Sequence, residues 1–286
     1  MPKTLKELVS DRANALLLPG AANALSAKII EDLGFNAVYM SGAGVTNTDL
    51  ALPDLGFITL DQIVTTVGRM RDVIEIPIVV DIDTGFGNAL NVTHCVRTLE
   101  RVGANAIQIE DQLFPKRCGH FTGKEVEPLE EMITKVKAAV DTRKSEDFLV
   151  IARTDAVATS GIDEALTRAN AFVEAGADII FVEALTIREE IELIPKQINI
   201  PLLINMVEGG KTPILEKVDL EKMGYSVILY ANSAMRGAMK GMQDVLKVLL
   251  TTGSTNSALD KMVEWSERQR LVGKDIYDEM EVRYRS

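Results

Sequence analysis

The chain has 286 residues, 47% of them hydrophobic and 26% charged, which suits one large core and is too apolar for a disordered protein. Its formal charge of -11 argues against general nucleic-acid binding, because a polyanion is repelled unless a local basic patch overrides the field. Two cysteines, Cys95 and Cys118, make neither a disulfide framework nor a zinc spacing, no signal segment opens the chain and no apolar run is long enough to span a bilayer. The expectation is a soluble, cytoplasmic protein with no membrane or nucleic-acid partner.

In chain order, short apolar runs recur, each followed by a helical pattern. Ala15–Leu18 and Ala37–Met40 come first, separated by a helix that Gly34 ends. Thr59 then offers an N-cap to a period-3.6 stretch closing near Arg71, ahead of Ile78–Val80. Leu99–Gly103 ends the next helix and leads into Ala106–Ile109; Phe148–Ala152, Ile179–Val182 (after the helix ending at Gly176), Leu202–Ile204 and Val227–Tyr230 (after Gly224) complete the series. Near-continuous apolar runs of this kind are what parallel strands covered on their outer face require, and alternation with helices implies βαβ units. The series predicts a single α/β domain over 1–286, a (β/α)₈ TIM barrel. A doubly wound sheet is the alternative, but no Gly-rich dinucleotide fingerprint is present. Beyond the last strand, helical patterns cover Ser233–Leu250 and roughly Leu259–Tyr284, with Trp265 in the second. Residues 257–286 form a C-terminal helical extension, which either covers the barrel's own base or reaches a neighbouring subunit.

In such a barrel the chemistry sits just past the strands, and the residues there are polar. The ends read Ser41-Gly-Ala-Gly44, Asp81-Ile-Asp83, Glu110-Asp-Gln112, Arg153-Thr-Asp155, Glu183, Asn205 with Glu208, and Asn232-Ser233. Asp81 and Asp83, two apart on an extended segment, face one side, and Glu110 from the adjacent strand can join them. Oxygen ligands without His or Cys suit Mg²⁺, or Mn²⁺, and not zinc; the alternative is that the pair caps the following helix. Ser41–Gly44 exposes backbone N–H groups as a nest for a carboxylate. Arg153 needs an anionic partner, either a substrate or Asp155 or Glu183; Asp111 and Asp155 read as supports. Lys116-Arg-Cys-Gly-His120 sets a thiol among basic neighbours, which favours the thiolate and makes Cys118 a proton donor or nucleophile. Cys95, by contrast, lies in an apolar helical pattern and reads as a buried filler.

These segments, together with Leu52-Pro-Asp-Leu-Gly56, resemble the isocitrate lyase/phosphoenolpyruvate mutase superfamily over essentially the whole chain. The Lys-Arg-Cys-Gly-His motif and the short length resemble its short lyase branch. The resemblance implies Mg²⁺ held directly by Asp81, with Asp83 and Glu110 acting through water. It implies a keto acid gripped by Ser41, Gly42, Ala43 and Arg153, with Asp54 supporting the site and Lys116, Arg117, Gly119 and Asn205 binding substrate. Cys118 would be the acid on a gating loop, with His120 and Glu183 completing the catalytic set. It also implies a homotetramer exchanging C-terminal helices.

The reaction so implied is retro-aldol cleavage of a 2-hydroxy di- or tricarboxylate, of 2,3-dimethylmalate or 2-methylisocitrate type. Pyruvate leaves as the keto product, and Cys118 protonates the other fragment. Asn205–Pro213 resembles the dimethylmalate lyase branch, which favours the dicarboxylate. Carboxyphosphonoenolpyruvate phosphonomutase and oxaloacetate hydrolase or decarboxylase are the alternatives on this scaffold, and a non-catalytic keto-acid sensor is the third reading.

Overall fold

Eight strands pair in parallel and in chain order, and the first closes on the last. They are β1 Leu16–Ala21, β2 Val38–Met40, β3 Ile78–Asp81, β4 Ala106–Glu110, β5 Leu149–Thr154, β6 Ile179–Val182, β7 Leu202–Asn205 and β8 Val227–Tyr230. The computed structural model describes residues 3–117, 119 and 123–285. Each strand coincides with an apolar run, but several continue past it: Asp81, Glu110, Arg153 and Asn205 belong to strands. Ladder pairing uses backbone groups, so a polar side chain at the end of a strand does not stop it.

Alternation along each strand divides the core in two. Val38, Val80, Ile107, Val150, Ile180 and Ile204 face outward and pack with helix residues such as Ile63, Val67, Val96 and Phe172. Leu18, Tyr39, Val79, Ile151, Phe181 and Leu229 face inward, joined by Leu5 and Val9 of the helix Leu5–Ser10. Each fully buried side chain of this size contributes roughly 1.5–3 kcal/mol relative to exposure. Above the inner cluster lies a polar layer, where Tyr39 Oη donates to Gln108 Oε1 at 2.9 Å.

The helix signals act as expected. Thr59 accepts from Gln62 N and Gln62 reaches back to Thr59 N, a capping box for Leu60–Arg71. Gly103 and Gly224 end their helices with φ of 100° and 108°.

The chain divides into two compact units, one up to Ser233 and one from Ala234 on. The second takes in most of the helix Ser233–Thr252, a 3₁₀ turn at Asn256–Lys261 and the helices Trp265–Leu271 and Lys274–Arg285. It therefore includes the 257–286 extension and the helix before it. Its surface carries Leu246, Leu250, Val263, Trp265 and Tyr284, with Leu250 86% exposed. Among the described residues no helix is long and apolar enough to cross a membrane.

One backbone approach is unusually tight. A Cβ on Gly20 of β1 would lie 1.8 Å from the carbonyl oxygen of Ala231, just past β8. Because the obstacle is backbone, Gly20→Ala must push the end of β8 outward. We expect a loss of about 1–3 kcal/mol and a fall in Tm of roughly 2–12 °C, read in a thermal melt; an unchanged melt would show that the strand end yields freely.

Candidate active site

The polar strand ends enclose a cavity of about 60 Å³ whose walls include Ser41, Ala43, Asp54, Asp81, Lys116, Arg117, Gly119, Arg153, Glu183 and Asn205. The carboxyl rim is thus the place where the expected residues meet. Cys118 and His120 lie outside the described residues, while Arg117 and Gly119 beside them line the wall.

At the end of β2 the nest expected from Ser41–Gly44 is partly engaged already. Ser41 Oγ accepts from Gly44 N at 3.0 Å and donates to Asn232 Oδ1 at 3.2 Å, while Gly42 N donates to Asp81 Oδ2 at 3.3 Å. These bonds fix a turn that follows the strand without a linker.

The acids come together by a route other than the extended one. β3 ends at Asp81 and Asp83 has φ 49°, a left-handed conformation. Both carboxylates nonetheless face Gly42, whose Cβ would lie 3.2 Å from Asp81 Oδ2 and 3.5 Å from Asp83 Oδ1. They do not cap the next helix; Asn88 does, accepting from Leu90 N and Asn91 N. Glu110 joins through its backbone, its N donating to Asp83 O at 2.9 Å.

Among the described residues no group of three or more His, Cys, Asp or Glu side chains is arranged to hold a metal ion. A lysine sits among these acids instead: Lys116 Nζ is 2.5 Å from Asp54 Oδ1 and 2.8 Å from Asp83 Oδ1. Burial, reinforced by Asp81 and Asp54 against the pull of Lys116, pushes the Asp83 carboxyl up to about 6. Burial also holds Glu110 well above the usual carboxylate range. For Lys116, burial opposes the charge, but Asp83, Glu110, Asp54 and Asp81 prevail and raise its pKa.

Arg153 is set by strand register. Glu110 of β4 pairs with it on one side and Phe181 of β6 on the other. The guanidinium lies 3.2 Å from Glu110 Oε2 and 3.6 Å from Glu183 Oε2, and sits over the Phe181 ring at 5.2 Å. Asp155 grips it with two bonds, from Nε at 2.9 Å and Nη2 at 3.1 Å. The structural pairing weighed for Arg153 is therefore present, and the arginine is oriented before any ligand arrives. Asn205 Nδ2 donates to Glu183 Oε2 at 3.4 Å. Asp111 is a support, accepting from Thr154 Oγ1 at 2.7 Å and from Asp155 N at 2.9 Å.

Several participants escaped the sequence reading. Tyr39, Phe181 and Leu229 line the cavity but lie inside apolar runs that signal only core. Lys124, buried against Asp155, stands in a polar stretch with no motif to mark it.

Burial raises the Asp155 carboxyl, but Arg153 and Lys124 prevail and hold it at about 2, against an ordinary 3.8. A depressed carboxylate stabilises the fold fully above its unfolded value and stops doing so as pH falls through its folded one. Asp155→Asn should therefore cost about 3–5 kcal/mol at neutral pH in denaturant titrations. The gap from wild type should shrink below about pH 4; a constant gap would place the cost elsewhere.

Comparison with known proteins agrees with this geometry. The family profile described as phosphoenolpyruvate phosphomutase matches residues 5–250. The 2,3-dimethylmalate lyase of Eubacterium barkeri is 44% identical, covering 98% of this chain and 96% of its own. The 2-methylisocitrate lyase of Aeropyrum pernix is 42% identical, covering 96% and 88%. Among solved structures, 2,3-dimethylmalate lyase, described as a PEP mutase/isocitrate lyase superfamily member, superposes with TM-score 0.92 at 32% identity, covering 98% of this chain and 94% of that one. A phosphonopyruvate hydrolase complex with oxalate and Mg²⁺ gives 0.89 at 29%, covering 99% and 100%. The chain belongs to the phosphoenolpyruvate mutase/isocitrate lyase superfamily.

Proposed function

We propose that this chain is a carbon–carbon lyase that cleaves a 2-hydroxy dicarboxylate or tricarboxylate, of 2,3-dimethylmalate or 2-methylisocitrate type, to pyruvate and a second carboxylate. The observation that carries the reading is a pre-oriented Arg153 on the wall that Asp81, Ser41 and Gly119 of the Lys-Arg-Cys-Gly-His segment also line. The similarity to lyases with both substrate names supports it.

The donor set fits Mg²⁺, with Mn²⁺ as the alternative. Asp81, Asp83 and Glu110 are hard oxygen donors, and Glu110 Oε1 is buried without a hydrogen-bond partner among the described residues. Among the described residues these acids form no closed three-carboxylate cage; Asp81 would hold the ion directly, with Asp83 and Glu110 acting through the waters that Mg²⁺ tends to keep. When bound, the ion supplies Lewis-acid polarisation of the oxygen that becomes the pyruvate carbonyl.

The chain's own residues do the rest. Arg153 and the Ser41–Ala43 turn bind and orient the carboxylate of the 2-hydroxy acid. Asp54 holds Lys116 in place, and Lys116, Arg117, Gly119 and Asn205 complete the grip beside Glu183. As the Glu183 carboxylate on the cavity wall takes the hydroxyl proton, the bond between C2 and C3 breaks and its electron pair stays on C3. Cys118 delivers a proton there, with His120 beside it in sequence binding the second carboxylate, so pyruvate leaves as a ketone. Val207, Leu229 and Ala231 line the cavity toward β7 and β8 between Asn205 and Asn232, and these apolar members suit an alkyl group at C3, which favours the dimethylmalate type. The apolar surface of the second unit supports association between copies of the chain, which we read as a homotetramer exchanging C-terminal helices.

Purified protein with Mg²⁺ and 2,3-dimethylmalate or 2-methylisocitrate should release pyruvate, followed by coupled reduction, and chelation should abolish it. Release from neither, with turnover of a phosphonate seen by phosphorus NMR or of oxaloacetate, would replace the lyase reading by one of its relatives. Cys118→Ala should lower turnover by roughly 10²–10⁴-fold and leave Mg²⁺-dependent binding of pyruvate intact; unchanged turnover would remove the acid role.

A further inference from the structure

We propose that Lys124 is a positioning residue that ties the Gly119 backbone to the Arg153 guanidinium through a shared carboxylate. The Lys124 side chain is 1% exposed, and its ammonium makes two described bonds, to Asp155 Oδ1 at 2.5 Å and to the Gly119 carbonyl at 2.7 Å. Asp155 is itself fully buried and binds Arg153 with both its oxygens. Gly119 in turn presses back on the site: a Cβ there would stand 2.7 Å from Arg153 Nη2 and 2.7 Å from Glu183 Cδ. The contacts form a closed circuit from Arg153 to Asp155, Lys124, Gly119 and again to Arg153.

Charge balance accounts for a second cation here, since Arg153 is shared by Asp155, Glu110 and Glu183, but it does not account for where the lysine is held. An ammonium that only balanced Asp155 would not need the Gly119 carbonyl, yet Lys124 divides its bonds between the two. A residue serving only to fill this space would be apolar. The direction of Lys124 is also fixed from below. Leu113 N donates to Glu125 O at 2.9 Å and Glu127 N to Asp111 O at 2.8 Å, with an antiparallel bridge between Gln112 and Val126. Lys124 stands just inside that bridge, on backbone anchored to the end of β4, which is the rigid support that a positioned site requires. On the proposed lyase reading, on which the importance of this placement rests, the residue before Gly119 is the acid. Lys124 thereby sets the spacing between the Gly119 backbone, next in sequence to that acid, and the arginine that grips the keto acid.

The test replaces Lys124 by Met, which keeps length and removes charge, and separately by Gln in case the first variant does not fold. Iodoacetamide labelling of the intact folded protein, resolved by peptide mass spectrometry, reads Cys118 and Cys95 separately. Cys95 is buried in the core with its thiol pushed up to about 12 by burial, so it reports global opening. Loss of a charge-assisted bond predicts a rise in Cys118 labelling of roughly ten- to a hundredfold, with Cys95 unchanged, and a fall in kcat/KM. Cys118 labelling that stays the same or slows, or that rises together with Cys95, would overturn the proposal. The labelling does not depend on turnover. A wild type that makes no pyruvate would sink the lyase reading and leave this result standing.

Discussion

The guanidinium of Arg153, a residue only 8% exposed near the end of β5, must be neutralised where it stands, since a buried charge without partners is costly by several kcal/mol. Glu110, Asp155 and Glu183 meet that demand from three directions, and each brings a strand end with it. Glu110 ties β4 to β5, and Glu183 carries the effect to β6 and, through Asn205, to β7. The rim is organised around the requirement to keep Arg153 charged and dry, and the cavity forms on the face of the guanidinium that the protein leaves available.

The same constraint acts on the opposite side of the site. Asp54, Asp81, Asp83 and Glu110 crowd into a region that burial makes hostile to charge, and Lys116 answers them there. A divalent ion joining these acids would favour their charged forms against the burial that holds Asp83 and Glu110 above their ordinary range, and would ease the smaller repulsion among them. Lys116 opens the Lys-Arg-Cys-Gly-His segment and reaches toward β3, and Lys124, beyond the segment, holds Gly119 toward β5. Between them Gln112 donates to Arg117 O and accepts from Arg117 N, using a side chain to imitate a strand partner.

Much of this architecture was legible in the amino-acid order. Strands buried on both faces announce themselves as apolar runs, and Thr59, Gly103 and Gly224 mark helix ends because few residues satisfy those backbone demands. Asp81, Glu110, Arg153, Glu183 and Asn205 were legible for a related reason: a charged or amide side chain directly after an apolar run belongs at the rim. Lys124 was not, since its role depends on a hairpin bringing it back to Asp155, thirty-one residues on. Tyr39 was hidden by its own apolar ring, which reads as core until the strand's inward face is known. The turn at Asp83 was misread as extended because alternation assumes that the strand continues, and here it does not.

The bond between Tyr39 and Gln108 has a consequence for how the barrel can change. It lies as a floor between the reactive chamber and the apolar plug built from Leu5, Val9 and the inward-facing strand residues. Below it, substitutions alter melting alone; above it they alter chemistry, and at a buried pair such as Asp155 with Arg153 they alter melting as well. The two halves of the barrel are therefore open to separate selection, and a lineage adapting to heat or cold can rebuild the lower half while the chamber above stays the same.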